Sequence, residues 1–210
     1  ATDERLYMRR DRALRDVAAA FLLDMSGSTG IAVPTGYFKE VEQPRLRHGR
    51  YTPPPARRAV IDVAKESLAL MSDALDTLGD IYGFSGDGRQ KVDFLVAKHF
   101  SHRRSPRIWS ALAAMQPLRS TRMGPAIREA LAKLRLQPER LKVLIIISDG
   151  YPQDKDYGPD PADHEYGIQD TAAALREAER EGVQTFCITI DPAGYDYLQR
   201  MCPGERYMVL

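Results

Sequence analysis

The run Val17–Leu23 (VAAAFLL) is apolar at every position and stops on a carboxylate, Asp24. Unbroken apolar sequence of this length marks a strand buried on both faces, which calls for a parallel sheet with helices on either side. A second run, Lys142–Ser148 (KVLIIIS), ends in the same way at Asp149-Gly150, and a third, Val183–Ile190 (VQTFCITI), ends at Asp191-Pro192. Helical patterns alternate with these runs. Val60, Val63, Ala64, Ser67, Met71, Ala74, Leu75 and Leu78 recur at three- and four-residue steps, with Gly79 read as the stop. Ile81–Phe84 reads as a short strand, Gly86-Asp87-Gly88 as a turn, and Val92–Ala97 as its antiparallel return. Ser105-Pro106 opens a helix (RIWSALAAM), and Thr121 heads another that Pro138 ends. A helix over Ile168–Glu181, a short one over Tyr195–Met201 and a last strand at Tyr207–Leu210 complete the pattern. It predicts an α/β fold: a doubly wound, mostly parallel sheet with one antiparallel edge strand and helices on both faces.

Composition bounds the function only loosely. The 210 residues suffice for one large domain, and 43% hydrophobic with 28% charged residues is ordinary for a globular chain. Lys plus Arg number 30 against 29 Asp plus Glu, which argues neither for nor against nucleic acid. Two cysteines, Cys187 and Cys202, make no disulfide framework and fit a reducing, cytoplasmic setting. No apolar stretch reaches transmembrane length, so no membrane partner is expected. A start at Ala1 in charged sequence reads as a domain cut from a longer protein. Within residues 1–210, residues 1–16 read as a charged helical lead-in, and 30–55 as a Pro/Gly-rich insertion made basic by Arg45, Arg47, His48 and Arg50. An insertion of that length asks for a functional reason.

Asp24-Met25-Ser26-Gly27-Ser28-Thr29 offers a carboxylate and two hydroxyls at alternate positions, which in extended chain point the same way. Ligands of open α/β sheets collect at the carboxyl ends of the strands. Asp24, Ser26, Ser28, Thr121 and Asp149 are therefore expected to converge there from three loops. Hard oxygen donors of this kind suit Mg²⁺. Helix capping would account for Asp24, Thr121 or Asp149 singly, but not for all of them meeting.

Asp24-x-Ser26-x-Ser28, a later lone Thr121, and Asp149-Gly150 after an apolar strand together resemble the von Willebrand factor A domain and its metal-ion-dependent adhesion site, over about Val17–Leu210. The resemblance implies a vWA/Rossmann-like fold. It implies Mg²⁺, with Mn²⁺ or Ca²⁺ as substitutes, held directly by Ser26, Ser28 and Thr121, while Asp24 and Asp149 act through waters or hydrogen bonds. Ser148 stands where many members carry Thr and is not counted as a ligand. An open coordination position would take an acidic side chain from a partner.

Four further stretches are similar to the NorD/CbbO type of this family: Gly83–Gly86, Ser120-Thr121-Arg122-Met123-Gly124, Ser148–Asp154, and Tyr166-Gly167-Ile168-Gln169-Asp170-Thr171. In that type the domain sits at the C-terminus of a larger adaptor, which pairs with a hexameric MoxR-type AAA+ ATPase and delivers its remodelling activity to a client. The resemblance implies a non-catalytic, Mg²⁺-dependent adaptor whose client is rubisco, with nitric oxide reductase as the alternative. Thr29, Arg122, Tyr151 and the insertion are expected on the rim, where they would select the client.

Other readings have less behind them. A metal-dependent hydrolase needs a general base, and none is recognisable beside the hydroxyls. Nucleic-acid binding would use the basic run His102-Arg103-Arg104-Ser105-Pro106-Arg107, which lacks interleaved aromatics and reads as solvated charge. The acidic stretch Asp154–Asp160 lacks the terminal Glu of a calcium loop. No phosphate-binding Gly-rich Lys loop occurs, so ATP-driven force would come from a partner.

Overall fold

The computed structural model describes residues 16–33, 46–47, 50–51, 58–75, 79–100, 105–160, 163–191 and 194–210. β1 (Val17–Asp24) lies inside the sheet, and its side chains go alternately to two cores. Ala18, Ala20 and Leu22 face one layer of helices while Phe21 and Leu23 face the other, so no position from Ala18 to Leu23 is left for a polar residue. After a 3-10 turn at Gly27–Gly30 comes the insertion, in which β2 (Leu46–Arg47) and β3 (Arg50–Tyr51) pair antiparallel, apart from the main sheet. α1 (Val60–Leu75) leads to β4 (Gly79–Gly86), and β5 (Val92–Lys98) returns antiparallel beside it. α2 (Pro106–Ala113) and α3 (Met123–Arg135) precede β6 (Leu141–Ser148). α4 (Glu165–Arg180) then leads to β7 (Val183–Thr189), and α5 (Gly194–Met201) to β8 (Tyr207–Val209).

The six strands run in the order β5-β4-β1-β6-β7-β8, all parallel except β5. This is the expected mostly parallel sheet with one antiparallel edge strand. Ile127, Leu131 and Leu134 of α3, Leu175 of α4 and Leu198 of α5 fill one core. Ile61 and Leu68 of α1 with Leu112 of α2 fill the other. The chain passes from β1 to β4 on one side and later returns to β6 on the other, so the direction of winding switches at β1. Connections part at such a point and open a crevice at the carboxyl ends of the strands. Ile146 of β6 is 1% exposed within the first core. Ile146→Val is expected to cost about 0.5–1.5 kcal/mol, read as a lower urea midpoint at unchanged slope.

Some local expectations are corrected. Gly79 does not cap a helix; it is the first residue of β4, opposite Ala19 of β1. α3 stops at Arg135, three residues before Pro138, and Thr121 lies two residues ahead of its first turn. α4 begins earlier than its apolar pattern, at Glu165. Residues 1–15, most of the insertion and the His102–Arg104 run lie outside the described residues. The neck of the insertion is described. Ala32 bridges Ala59, the Val33 N–H donates to the Arg58 carbonyl (2.9 Å), and the Val60 N–H donates to the Ile31 carbonyl (3.1 Å). Among the described residues, no helix is long and apolar enough to cross a membrane.

Candidate metal centre

Asp24 ends β1 fully buried, and both of its oxygens are engaged. Oδ1 accepts the Ser26 N–H at 2.8 Å, while Oδ2 accepts the Ser148 hydroxyl at 2.6 Å and the Thr121 hydroxyl at 3.3 Å. The Ser26 and Ser28 hydroxyls lie 3.0 Å apart, and Ser28 donates to Asp149 Oδ1 at 2.9 Å. The five expected residues thus meet in one hydrogen-bonded cluster, open to solvent on the side of Ser28.

The chain achieves this by a turn rather than by extended alternation. Ser26 is extended (φ −65°, ψ 163°), but the 3-10 turn that follows folds Ser28 back beside it. Thr29 closes the turn, its N–H and hydroxyl both donating to the Ser26 carbonyl at 3.1 and 2.7 Å. Main-chain bonds then stitch the loops together. The Gly27 N–H donates to the Arg119 carbonyl (2.7 Å), the Leu118 N–H to the Met25 carbonyl (2.7 Å), and the Thr121 N–H to the Gln153 carbonyl (2.8 Å).

Burial pushes the Asp24 carboxyl up to about 6, against the hydrogen bonds from Ser148 and Ser26, and the charge of Asp149 adds to the rise. Burial raises Asp149 as well; Ser28 opposes the rise and Asp191 reinforces it. Among the described residues, the hydrogen bonds to these two carboxyls come from hydroxyls and main-chain N–H groups, with no lysine or arginine paired to either. Two desolvated carboxyls with no base beside them among the described residues are an electrostatic deficit that a dication would relieve. Hydroxyl and carboxylate oxygens are the donors that Mg²⁺ takes, so the residues fit the ion. No group of three or more His, Cys, Asp or Glu side chains is gathered to hold a metal among the described residues. An ion here would therefore rest chiefly on hydroxyls.

The family profile of the von Willebrand factor type A domain matches residues 66–209. The chain belongs to that family. This A domain is 35% identical to an uncharacterized protein of Pseudomonas aeruginosa over 100% of its own length and 31% of that protein's. It is 33% identical to Protein NorD of Stutzerimonas stutzeri over 98% of its own length and 30% of that protein's. The A domain thus spans about a third of the length of these relatives. Among solved structures, the PilB minor pilin of Streptococcus sanguinis aligns with a TM-score of 0.63 at 13% identity, covering 92% of this chain and 56% of that one. The SpRpn10 VWA domain aligns at 0.52 and 10% identity, covering 92% and 86%. These two likenesses speak to the fold alone.

Of the residues expected on the rim, two are turned inward. Thr29 is 2% exposed, spent on its own turn. Arg122 is 6% exposed, its guanidinium paired with Asp154 and Asp156. Tyr151 is half-buried, its ring centroid 4.8 Å from that of His164 and 4.3 Å from that of Tyr197. Ser148, not counted as a ligand, has a supporting part that the sequence reading did not give it: its hydroxyl makes the shortest hydrogen bond that Asp24 accepts, at 2.6 Å. A hydroxyl one residue before Asp-Gly, on the strand face that Leu144 and Ile146 bury, was the available signal.

Proposed function

We propose that this A domain is a Mg²⁺-dependent protein-binding module that captures an acidic side chain of a client. It would do so within a longer adaptor that links a MoxR-type AAA+ ATPase to that client. The observation that carries the reading is the cluster of Asp24, Ser26, Ser28, Thr121 and Asp149, hydroxyl-rich and, among the described residues, without a paired base. Ser26, Ser28 and Thr121 would hold the ion through their hydroxyls. Asp24, with its Oδ1 and Oδ2 already accepting hydrogen bonds, aims the Thr121 hydroxyl and the Ser26 main chain; Asp149 aims Ser28. When bound, Mg²⁺ supplies a hard positive centre that attracts a carboxylate oxygen. With few carboxylates on it, the ion keeps charge for the client. The exposed side at Ser28 leaves room for approach, and Tyr151 is the rim residue that remains as a candidate client contact. Mn²⁺ would substitute directly, whereas Ca²⁺ asks for more oxygens.

The relatives named NorD favour nitric oxide reductase over rubisco as the client side of the adaptor. The test is to co-purify the full-length adaptor with each enzyme in Mg²⁺ and in EDTA, beside calorimetric titration of this chain with Mg²⁺. Capture in Mg²⁺ that is lost in EDTA and lost with Asp149→Ala is the expected result. Equal capture in EDTA would sink metal docking, and capture of rubisco alone would reverse the client assignment.

A further inference from the structure

Thr121 is the only residue of Thr121-Arg122-Met123-Gly124 that touches the hydroxyl cluster, and the rest of the stretch has a different task. The Arg122 Nε donates to Asp154 Oδ2 at 2.9 Å, its Nη2 donates to Asp156 Oδ1, and its guanidinium carbon stands 4.4 Å from the centroid of the Tyr157 ring. The Asp154 side chain is fully buried and also accepts the Gly88 N–H at 2.8 Å. Asp156 accepts the Arg89 N–H at 2.8 Å. Tyr157 in turn donates to Asp170 Oδ2 at 2.6 Å and accepts the Gly124 N–H at 3.2 Å. The guanidinium thus ties the segment bearing Thr121 to the segment that follows Asp149, and the two carboxylates it holds in turn secure the β4–β5 turn.

We propose that Arg122 is a positioning residue of the metal centre, clamping the Thr121 and Asp149 loops into one body so that their oxygens keep a fixed separation. The inference rests on the metal-docking reading above. The forked, planar guanidinium matters here, because it reaches two carboxylates and lies on an aromatic face at once. A lysine ammonium could keep the charge but not the two-point grip. Loss of a group that orients metal-holding side chains from behind typically weakens metal affinity by about 10–100-fold.

A buried charge stripped of its partner can prevent folding. The test therefore uses Arg122→Lys and the charge-neutral pair Arg122→Met with Asp154→Asn, with Leu131→Ala of the α3 core as a control that lowers stability away from the clamp. Two readouts are taken on each protein: amide hydrogen exchange without metal, and Mn²⁺ titration. Exchange at the Thr121 amide, which bonds Gln153, is expected to speed up together with that of residues 153–157 in both clamp variants and not in the control. Their Mn²⁺ affinity is expected to fall roughly 10–100-fold. Unchanged exchange, or Mn²⁺ affinity no weaker than in a control of matched stability, overturns the proposal. A wild-type chain that binds no Mn²⁺ overturns the metal reading and the positioning role together. That outcome is distinct from failure of the clamp alone, in which wild type and variants bind Mn²⁺ equally.

Discussion

Alanine at both Ser26 and Ser28 is expected to abolish Mg²⁺ binding while leaving the sheet intact. The two hydroxyls are neighbours at 3.0 Å, and Ser28 is the only one of the pair that bonds Asp149. Removing them takes away two of the three proposed hydroxyl ligands and frees Asp149 from the side chain that aims it. The structural cost is small by comparison, because each lost hydrogen bond is worth about 1 kcal/mol and Ser28 is exposed. The folding core does not include either side chain. Titration calorimetry with Mg²⁺ and a thermal melt in EDTA separate the two effects. A melt close to wild type with no heat of binding is the expected pair of results; wild-type affinity in the folded double variant would remove the site.

The second large effect is expected from Gly167→Val in the first turn of α4. A Cβ at this position would collide with the Pro152 carbonyl oxygen and press on Tyr157 Cδ1 at 3.3 Å. The obstacle is main chain, so no rotamer change relieves it. Alanine would gain about 1 kcal/mol in helix propensity and still meet the same carbonyl. Valine adds further bulk and should cost about 3 kcal/mol, the upper part of the range for overpacking. In a chain of this size each kcal/mol lowers the melting temperature by about 2–4 °C. The displaced segment is the one that continues from Asp149, so Mg²⁺ affinity should fall with stability. A Gly167→Val protein that melts and binds like wild type would show that α4 can step back from the loop.

These two sites differ in how far they could be read from the sequence. β1 and β6 were legible because the middle of a strand covered on both faces is apolar, as Ala18–Leu23 and Val143–Ile147 are, and Asp24 and Asp149 stand at the carboxyl ends of those runs. The meeting of Asp24, Ser26, Ser28 and Asp149 followed from strand order and spacing, and Thr121 joined them on the family resemblance; the turn at Gly27–Gly30 that folds Ser28 back has no periodicity to betray it. Gly79 reads as a helix stop because glycine is the usual residue just past a helix end. Here a Cβ would lie 3.0 Å from the Ala19 carbonyl oxygen of β1, a constraint invisible without the partner strand. Arg122 reads as a rim residue from its place beside Thr121, since its carboxylate partners lie more than thirty residues on and the sequence between them gives no hint of the contact.

The closed neck at Ala32 and Ala59 has a consequence for how this domain can diversify. A loop whose two ends are already held together pays little for added length, since closure cost grows only logarithmically. Extra residues between Val33 and Arg58 therefore add little to the cost of holding the neck closed. The neck behaves as a graft junction, at which the domain can take segments of different length while the paired ends at Val33 and Arg58 stay in register.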